Sequence, residues 1–224
     1  MTISDSLFWQ LTLVLLWLTS VFSLAAIVQK VGTTEQVRKV VHIGTGNILP
    51  LAWYFNFPLP FCLAVCLIFC GITFLSYHFP ILPVINSVGR RTYGVFFYAL
   101  SITLLIAYFW TIQQPAFAVL GVLVMSWGDG IAALVGQKWG KHSYQIWGNR
   151  KSWEGSGAMA LICFVITIII LAIKQGMRVQ LFPIAMLVAL VATLCEAISP
   201  AGSDNLTVPI SSSFLAYLLS GMGG

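Results

Sequence analysis

The sequence predicts an all-α, polytopic integral membrane protein with about seven or eight transmembrane helices in a single domain. Hydrophobic residues make up 59% of its 224 residues and charged residues only 8%, whereas about 25% of the residues of a soluble domain are charged. The mean hydropathy is +0.94. A chain of this length has room for about eight membrane helices of about 20 residues each. A soluble globular protein is therefore excluded, and residues 1–224 are expected to form one membrane domain.

Apolar segments separated by short polar loops follow one another along the chain. The first is preceded by Asp5 and by no Lys or Arg, and it is longer than the apolar region of a cleavable signal peptide, so we expect it to remain as an anchor. The predicted spans are 7–28, 40–56, 59–79, 94–112, 115–136, 158–173, 180–198 and 205–221. Helix-interrupting prolines lie near their ends, namely Pro58, Pro80, Pro83, Pro115, Pro183 and Pro200.

The distribution of Lys and Arg predicts which loops face the cytoplasm. Nine bases fall in the alternate loops 29–39, 80–93 and 137–157, and only Lys174 and Arg178 fall on the opposite side. The nine are Lys30, Arg38, Lys39, Arg90, Arg91, Lys138, Lys141, Arg150 and Lys151. The positive-inside rule places these three loops in the cytoplasm and both termini outside. It also explains the net charge of +5 better than a nucleic-acid partner does, because the bases are spread through short loops.

Four of the six acidic residues lie within or against predicted spans: Asp129, Glu154, Glu196 and Asp204. Only Asp5 and Glu35 lie where an acid costs little. An ionised carboxylate near hydrocarbon costs a few kcal/mol at least, so each of the four marks a candidate site. The predicted topology brings all four, with many of the bases, to the cytoplasmic face. An ion pathway would spread its acids through the membrane, whereas this convergence favours a site for a charged cytosolic ligand.

The first candidate segment is Arg38-Lys39-Val40-Val41-His42, which enters the second span. Arg38 and His42 are one helical turn apart and face the same way. Bases at the start of a helix oppose its macrodipole, so we expect an anionic partner beside them. Alone, the segment is also typical of a positive-inside anchor with a packed histidine.

The second segment, residues 126–136, places Asp129 between Gly128 and Gly130. We expect the two glycines to leave its carboxylate open to a metal or a reacting hydroxyl. A stripe of small residues follows Asp129 at helical spacing, namely Ala133, Gly136 and Gly140. Such a stripe permits close helix contact or leaves space for a ligand. Asp129 should lie about two turns, roughly 10–12 Å, inside the cytoplasmic end. The alternative is helix packing, with Asp129 paired to a base.

The third segment, residues 148–157, closes the longest predicted cytoplasmic loop and contains Arg150, Lys151 and Ser152 beside glycines. These groups suit phosphate oxygens through charge-assisted and backbone N–H hydrogen bonds. The GxxxxGK[ST] spacing of a Walker A loop does not occur. The alternative is an interfacial loop that its aromatic residues hold at the headgroup level.

The fourth segment, residues 196–209, supplies Glu196, Asp204 and the carboxamide of Asn205 around a turn that contains Pro200 and Gly202. An acid at the start of the last predicted span matches the positive end of that helix, and Asp204 could equally be its N-cap. Hard oxygen ligands beside phosphate-binding bases favour Mg²⁺, which binds few carboxylates together with substrate phosphates.

Together the four segments resemble the polyprenol/phytol kinase family, the CTP-dependent membrane kinases that also include dolichol kinases and a eukaryotic diacylglycerol kinase. The similarity rests on RKVVHIGTG at 38–46, GDGIAALVG at 128–136 with WG at 139–140, KSWEGS at 151–156, and Glu196 with SDNLTVP at 203–209. The segments occur in the family's order. Many relatives carry a second acid before the Asp-Asn pair, where this chain has Ser203.

The resemblance implies transfer of the terminal phosphate of a nucleoside triphosphate, usually CTP, to a long-chain isoprenoid alcohol at the cytoplasmic or equivalent stromal face. The chain looks most like the phytol kinases, which feed salvaged phytol towards tocopherol synthesis. The expected catalytic residues are Asp129, Glu154 and Asp204, and the expected Mg²⁺ ligands are Asp129, Glu196 and Asp204. The expected nucleotide- and phosphate-binding residues are Arg38, Lys39, His42, Lys141, Arg150, Lys151, Ser152 and Asn205.

Two other functions fit part of the pattern. A phosphatidate-type cytidylyltransferase, which makes a CDP-lipid, would share CTP, Mg²⁺ and the topology, but the KSWEGS and SDNLTVP segments resemble the kinases more closely. An ion-coupled membrane transporter would place acids near the midplane between inverted repeats, and the sequence has no evident repeat.

Overall fold

The computed structural model describes residues 3–76, 79 and 93–221, and over these residues the chain is helical apart from one β-hairpin and short connections. The all-α prediction is therefore confirmed. The helices are α1 (Ile3–Val31), α2 (Thr34–Gly46), α3 (Ile48–Tyr54), α4 (Leu59–Leu75), α5 (Gly94–Phe109), α6 (Pro115–Leu123), α7 (Gly130–Trp139), α8 (Trp153–Gln175), α9 (Leu181–Ile198) and α10 (Asp204–Gly221). A π-helical turn, Val124–Asp129, joins α6 to α7, and strands β1 (Ser143–Ile146) and β2 (Asn149–Ser152) precede α8.

Among the described residues, four helical stretches are long and apolar enough to cross a membrane, judged by length and composition: Phe8–Val31, Pro115–Trp139, Trp153–Gln175 and Leu181–Ile198. Helices α4 and α5 are apolar but shorter. Large apolar side chains cover the outer faces, with Leu15, Leu161 and Met186 all more than half exposed. Exposing so much apolar surface to water is unfavourable, whereas contact of that surface with lipid is favourable. The chain is thus a membrane protein.

The predicted second span, 40–56, is divided into α2 and α3 at Asn47. Pro50 has no N–H to donate to the carbonyl of residue 46, and its ring crowds that carbonyl, so a continuous helix is interrupted there. The start of α2 is fixed by a capping box, in which the Thr33 hydroxyl accepts from Gln36 N and the Gln36 side chain accepts from Thr33 N.

Helix α6 lies at the centre of the molecule, and its side chains are buried on all sides. Phe117, Val119 and Leu120 are almost wholly buried, and the helix packs against α5, α8 and α10. By contrast, only 11% of the apolar stretch of α1 is buried. The π turn and α7 continue directly from α6. The candidate site at Asp129 therefore lies on the most deeply buried of the four apolar stretches given above.

The predicted loop 137–157 is largely ordered secondary structure rather than an irregular loop. Helix α7 runs to Trp139, β1 and β2 form an antiparallel hairpin, and α8 begins at Trp153, five residues before the predicted span. The hairpin turns at Trp147 and Gly148, which both have positive φ (50° and 76°), as a tight two-residue turn requires. Tryptophan is an unusual residue in that conformation, which explains why the sequence did not predict the hairpin.

The predicted loop 80–93, with Arg90 and Arg91, lies outside the described residues except for Tyr93. The contribution of these two bases to the predicted orientation therefore stays a prediction.

Candidate active site

Asp129 ends the π-helical turn between α6 and α7. Such turns are rare within helices and are frequent at functional sites. The turn packs against α8 and α2. This packing corrects the prediction that Gly128 and Gly130 leave the Asp129 carboxylate open. A Cβ on Gly128 would lie 2.7 Å from Met159 Sδ, and one on Gly130 would lie 2.6 Å from Ile43 Cδ1. The glycines therefore allow two neighbouring helices to approach rather than leave the Asp129 carboxylate open.

Lys39 of α2 reaches the Asp129 carboxylate across this interface. Its Nζ lies 2.5 Å from Asp129 Oδ2, and only 3% of Lys39 is exposed. An ammonium buried away from water costs several kcal/mol unless it is paired, so the carboxylate is what holds Lys39 inside. His42 Nε2 lies 3.5 Å from the same oxygen. The structure thus shows the arrangement given as the alternative for this segment, in which neighbouring helices pack at the glycines and Asp129 is paired to a base.

Arg38 points away from this pair, to Glu35, one turn earlier on α2. Its guanidinium donates to Glu35 Oε1 at 2.6 Å, and half of the side chain is exposed. Burial lowers the pKa of Arg38, but the hydrogen bond and charge of Glu35 and the charges of Asp129 and Asp204 outweigh it, so the pKa lies above its ordinary value. The sequence predicted no role for Glu35, because an acid at that position has little energetic cost. Its i, i+3 spacing from Arg38 was the signal that could have found this pair.

Lys151 of β2 pairs with Glu196 near the end of α9. Its Nζ lies 2.5 Å from Glu196 Oε1 and also donates to the backbone carbonyl of Glu196. The last carbonyls of a helix have no partner within the helix, so one lysine satisfies both the buried acid and the helix end. This contact ties the hairpin to α9.

Asp204 and Asn205 open α10 beside these pairs. Electrostatic interactions join Asp204 to Asp129, Glu196, Lys39 and Lys151. Three of the four predicted acids therefore lie near one another, and they come from two stretches of the chain, the π turn and residues 196–209. Lys39 and Lys151 offset two of the three carboxylate charges.

The case for Mg²⁺ binding by this cluster rests on oxygen atoms that accept no hydrogen bond. Asp204 Oδ1 and Asn205 Oδ1 are buried and accept no hydrogen bond from the described residues. Such oxygens are the ligands that Mg²⁺ prefers. Among the residues that the structure describes, no three His, Cys, Asp or Glu side chains come close enough to form a ready-made metal site. The donor set therefore suits a cation that takes one or two carboxylates and completes its shell with phosphate or water.

Glu154 contacts a different partner from the other three acids. Its carboxylate accepts from the backbone N of His142 at 3.2 Å and lies 2.7 Å from His142 Nδ1. The Trp153 N–H also donates to the His142 carbonyl. Glu154 thereby joins the first turn of α8 to the beginning of the hairpin. Its predicted catalytic role remains a prediction, and the structure gives it a definite structural one.

A cleft of about 360 Å³ lies between α7, the hairpin and the start of α8. The small-residue stripe of α7 forms one wall through Ala133, Gly136 and Gly140, and Arg150 and Lys151 line the other. Ser152 is buried at the base, where its hydroxyl caps α8 by accepting from Gly155 N at 3.1 Å. Predicted residue Lys141 is exposed on the connection between α7 and β1.

Relatives of this chain were found among characterised proteins, while no family model and no solved structure matches it. "Phytol kinase" of Synechocystis sp. is 47% identical over 184 residues, which cover 82% of this chain and 78% of that protein. "Phytol kinase 1, chloroplastic" of Arabidopsis thaliana is 29% identical over 206 residues, covering 82% of this chain and 66% of the relative. The chain belongs to the phytol kinase family. It is therefore a membrane kinase, a phosphotransferase with an alcohol acceptor.

A more distant relative is named for a different substrate. "CTP-dependent diacylglycerol kinase 1" of Schizosaccharomyces pombe is 29% identical over 134 residues, which cover 56% of this chain and 60% of that protein. All of these relatives are kinases, so the comparisons do not favour the cytidylyltransferase or the transporter.

Proposed function

We propose that the protein transfers the terminal phosphate of CTP to phytol at the cytoplasmic face of a membrane and produces phytyl phosphate. The relatives named as phytol kinases support the alcohol, and the CTP-dependent relative supports the donor. The single observation that carries the proposal is the meeting of Asp129, Glu196 and Asp204 with Lys39 and Lys151 beside a cleft that Arg150 and Lys151 line.

The cleft suits the triphosphate of the nucleotide. Arg150 is exposed within it and Lys151 reaches from it into the acid cluster, so one pair of bases spans the distance between the nucleotide and the acids. Guanidinium and ammonium groups bind phosphate oxygens with charge-assisted hydrogen bonds. The absence of side chains at Gly136 and Gly140 lets Ser152 pack against this wall, since a Cβ on either glycine would lie 3.0 Å or less from Ser152 Oγ.

In the reaction, the hydroxyl oxygen of phytol forms a bond to the terminal phosphorus while the bond between that phosphorus and the bridging oxygen of CDP breaks. CDP leaves with the electron pair, and the hydroxyl proton passes to a carboxylate. We assign that carboxylate to Asp129, because it lies in the cluster with Glu196 and Asp204 whereas Glu154 lies beside the hairpin, bonded to His142. Lys39 holds Asp129 through Oδ2 at 2.5 Å. Phosphoryl transfer of this kind depends on position and charge more than on covalent catalysis.

Mg²⁺, when bound, would neutralise charge on the phosphate oxygens. Asp204 would hold it, with Glu196 or Asp129 as a second carboxylate ligand, and phosphate oxygens or water would complete its shell. The buried Asp204 Oδ1, which accepts no hydrogen bond from the described residues, is the atom that supports this assignment.

The remaining parts of the proposal concern the membrane. We infer a single multi-pass domain over residues 1–224, with the motifs at 38–46, 126–157 and 196–209 on the cytoplasmic side. The excess of bases on that side supports the orientation. The prenyl chain of the alcohol would remain among the apolar helix faces, so that only its hydroxyl reaches the charged cluster.

One assay tests the proposed function. Purified protein is incubated with Mg²⁺, each of the four nucleoside triphosphates labelled at the terminal phosphate, and phytol, geranylgeraniol, dolichol or diacylglycerol. We expect the label to appear in phytyl phosphate, with CTP as the best donor. Release of pyrophosphate with formation of a CDP-lipid would contradict the kinase, and label in dolichol or diacylglycerol alone would contradict the choice of phytol.

A further inference from the structure

Tyr98 lies in α5, a helix without any residue in the candidate site. Its side chain is 7% exposed, and it points towards the junction of α2 with the π turn. A buried tyrosine needs a partner for its hydroxyl, because an unpaired hydroxyl loses its hydrogen bonds to water. Tyr98 finds that partner in the two elements that carry His42 and Asp129.

The Tyr98 hydroxyl joins the two elements through a directed set of hydrogen bonds. It donates to the backbone carbonyl of His42 at 3.1 Å. The Thr45 hydroxyl lies 3.2 Å away but donates to the Val41 carbonyl at 2.8 Å. The remaining acceptor position on Tyr98 therefore suits the hydroxyl of Ser126, 3.4 Å away on the π turn. The resulting order is Ser126 to Tyr98 to the His42 carbonyl.

The same tyrosine also contacts the imidazole of His42. The centroids of the two rings are 4.7 Å apart and their planes are inclined by 53°. His42 is thus held by Tyr98 at its backbone and at its ring. Its Nε2 atom is buried, has no hydrogen-bond partner in the described residues, and lies 3.5 Å from Asp129 Oδ2. The backbone of Met125 on the π turn also interacts with the imidazole, so Tyr98 and the π turn together hold the ring near Asp129.

We propose that Tyr98 is a positioning residue for phosphoryl transfer, which acts by fixing His42 and the Ser126 turn and so sets the geometry at Asp129. The inference rests on the proposed function, in which Asp129 faces the reacting hydroxyl. Phenylalanine would fill the same space and keep the ring contact, and it would remove only the hydroxyl bridge between α2 and the π turn. A site of this kind is sensitive to small displacements of its groups.

The test is a double-mutant cycle on the turnover of phytol by the full chain in detergent micelles. Tyr98→Phe should lower kcat about five- to tenfold, the loss expected for one neutral hydrogen bond, and change the KM for CTP by less than about twofold. In a Ser126→Ala background, Tyr98→Phe should lower kcat by less than about twofold, because residues that act through one another are not additive. Ser126→Ala alone removes the neighbouring hydroxyl and should give a smaller loss than Tyr98→Phe.

The matched control is Tyr108→Phe on the same helix. Tyr108 is 43% exposed and its ring packs on Phe109 and Phe214, so this variant should keep the kcat of the wild type. Full additivity between Tyr98→Phe and Ser126→Ala would overturn the inference, as would an unchanged kcat in both single variants while Asp129→Asn is inactive. In that last case the proposed function would be kept and only the role of Tyr98 would be rejected. A wild-type protein that phosphorylates none of the alcohols would remove the proposed function and this inference together.

Discussion

The ammonium of Lys39 and the carboxylate of Asp129 form a buried ion pair 2.5 Å long, between residues 90 positions apart in the chain. The pair joins α2 to the π turn where two further groups, His42 and Glu35, also contact its members. Because both charges are withdrawn from water, each depends on the other. The pair therefore belongs both to the stability of the fold and to the chemistry of the site.

Removal of one member of this pair should destabilise the protein more than removal of both. Lys39→Met leaves Asp129 ionised without a partner, which costs about 3–5 kcal/mol of unfolding free energy. The double variant Lys39→Met/Asp129→Asn carries no unpaired charge and should recover a large part of that loss. Thermal unfolding in detergent measures both. Lys30→Met, at the exposed end of α1, is the control, and equal destabilisation by the single and double variants would refute the coupling.

The choice between Asp129 and Glu154 as the proton acceptor can be tested by comparing each with its partner. Asp129→Asn leaves Lys39 unpaired, so it is assayed below its lowered unfolding temperature, where it should lower kcat by about 10²–10⁴-fold, as expected for loss of a general base. Glu154→Gln should have only the modest effect of a loosened hairpin, and His142→Ala should have a similar effect, since the two share one contact. Turnover with labelled CTP measures all three.

The outcome that would reverse this assignment is specific. If Glu154→Gln is inactive while His142→Ala is active, the Glu154 carboxylate acts on substrate rather than on the hairpin. Near-normal turnover by Asp129→Asn would likewise exclude it as the acceptor.

The helices and the acids of the site were largely predictable, because both follow from the cost of placing groups in lipid. Long apolar runs indicate membrane helices. Acidic residues within or beside such runs are costly, and Asp129, Glu196 and Asp204 are recognised as candidates for that reason. Spacing within one helix also predicted that His42 lies one turn after Arg38. These inferences need only local sequence.

What could not be predicted depends on contacts between distant elements. Nothing local says that Lys39 pairs with Asp129 or that Lys151 reaches Glu196, since those partners meet only after the helices pack. Tyr98 carries no motif at all. The hairpin was missed for a different reason, namely a tryptophan in a turn position that glycine or asparagine usually fills.

Lys151 should matter for binding of the nucleotide more than other lysines on the same side of the molecule. It lines the cleft and pairs with Glu196, so Lys151→Met removes charge-assisted bonds worth about 1.5–3 kcal/mol each. We expect the KM for CTP to rise roughly 10- to 100-fold. Lys138→Met is the matched control, because Lys138 lies over the ring of Trp139 at 4.8 Å and should leave the KM unchanged. Equal effects of the two substitutions would indicate a general charge effect instead of a specific contact.

A methyl group at Gly46 should disturb the site through packing alone. A Cβ there would lie 2.1 Å from Ser126 Oγ and 2.6 Å from Ser126 Cβ, so Gly46→Ala must push α2 away from the π turn at a cost of about 1–3 kcal/mol. Gly71 in α4 has no atom within 4 Å of its Cβ position, so Gly71→Ala should be neutral or stabilising by up to about 1 kcal/mol. Thermal unfolding compares the two variants. Because the shift separates Lys39 and His42 from Asp129, Gly46→Ala should also lower kcat, and a folded Gly46→Ala variant with full turnover would show that the spacing of these two elements does not control the reaction.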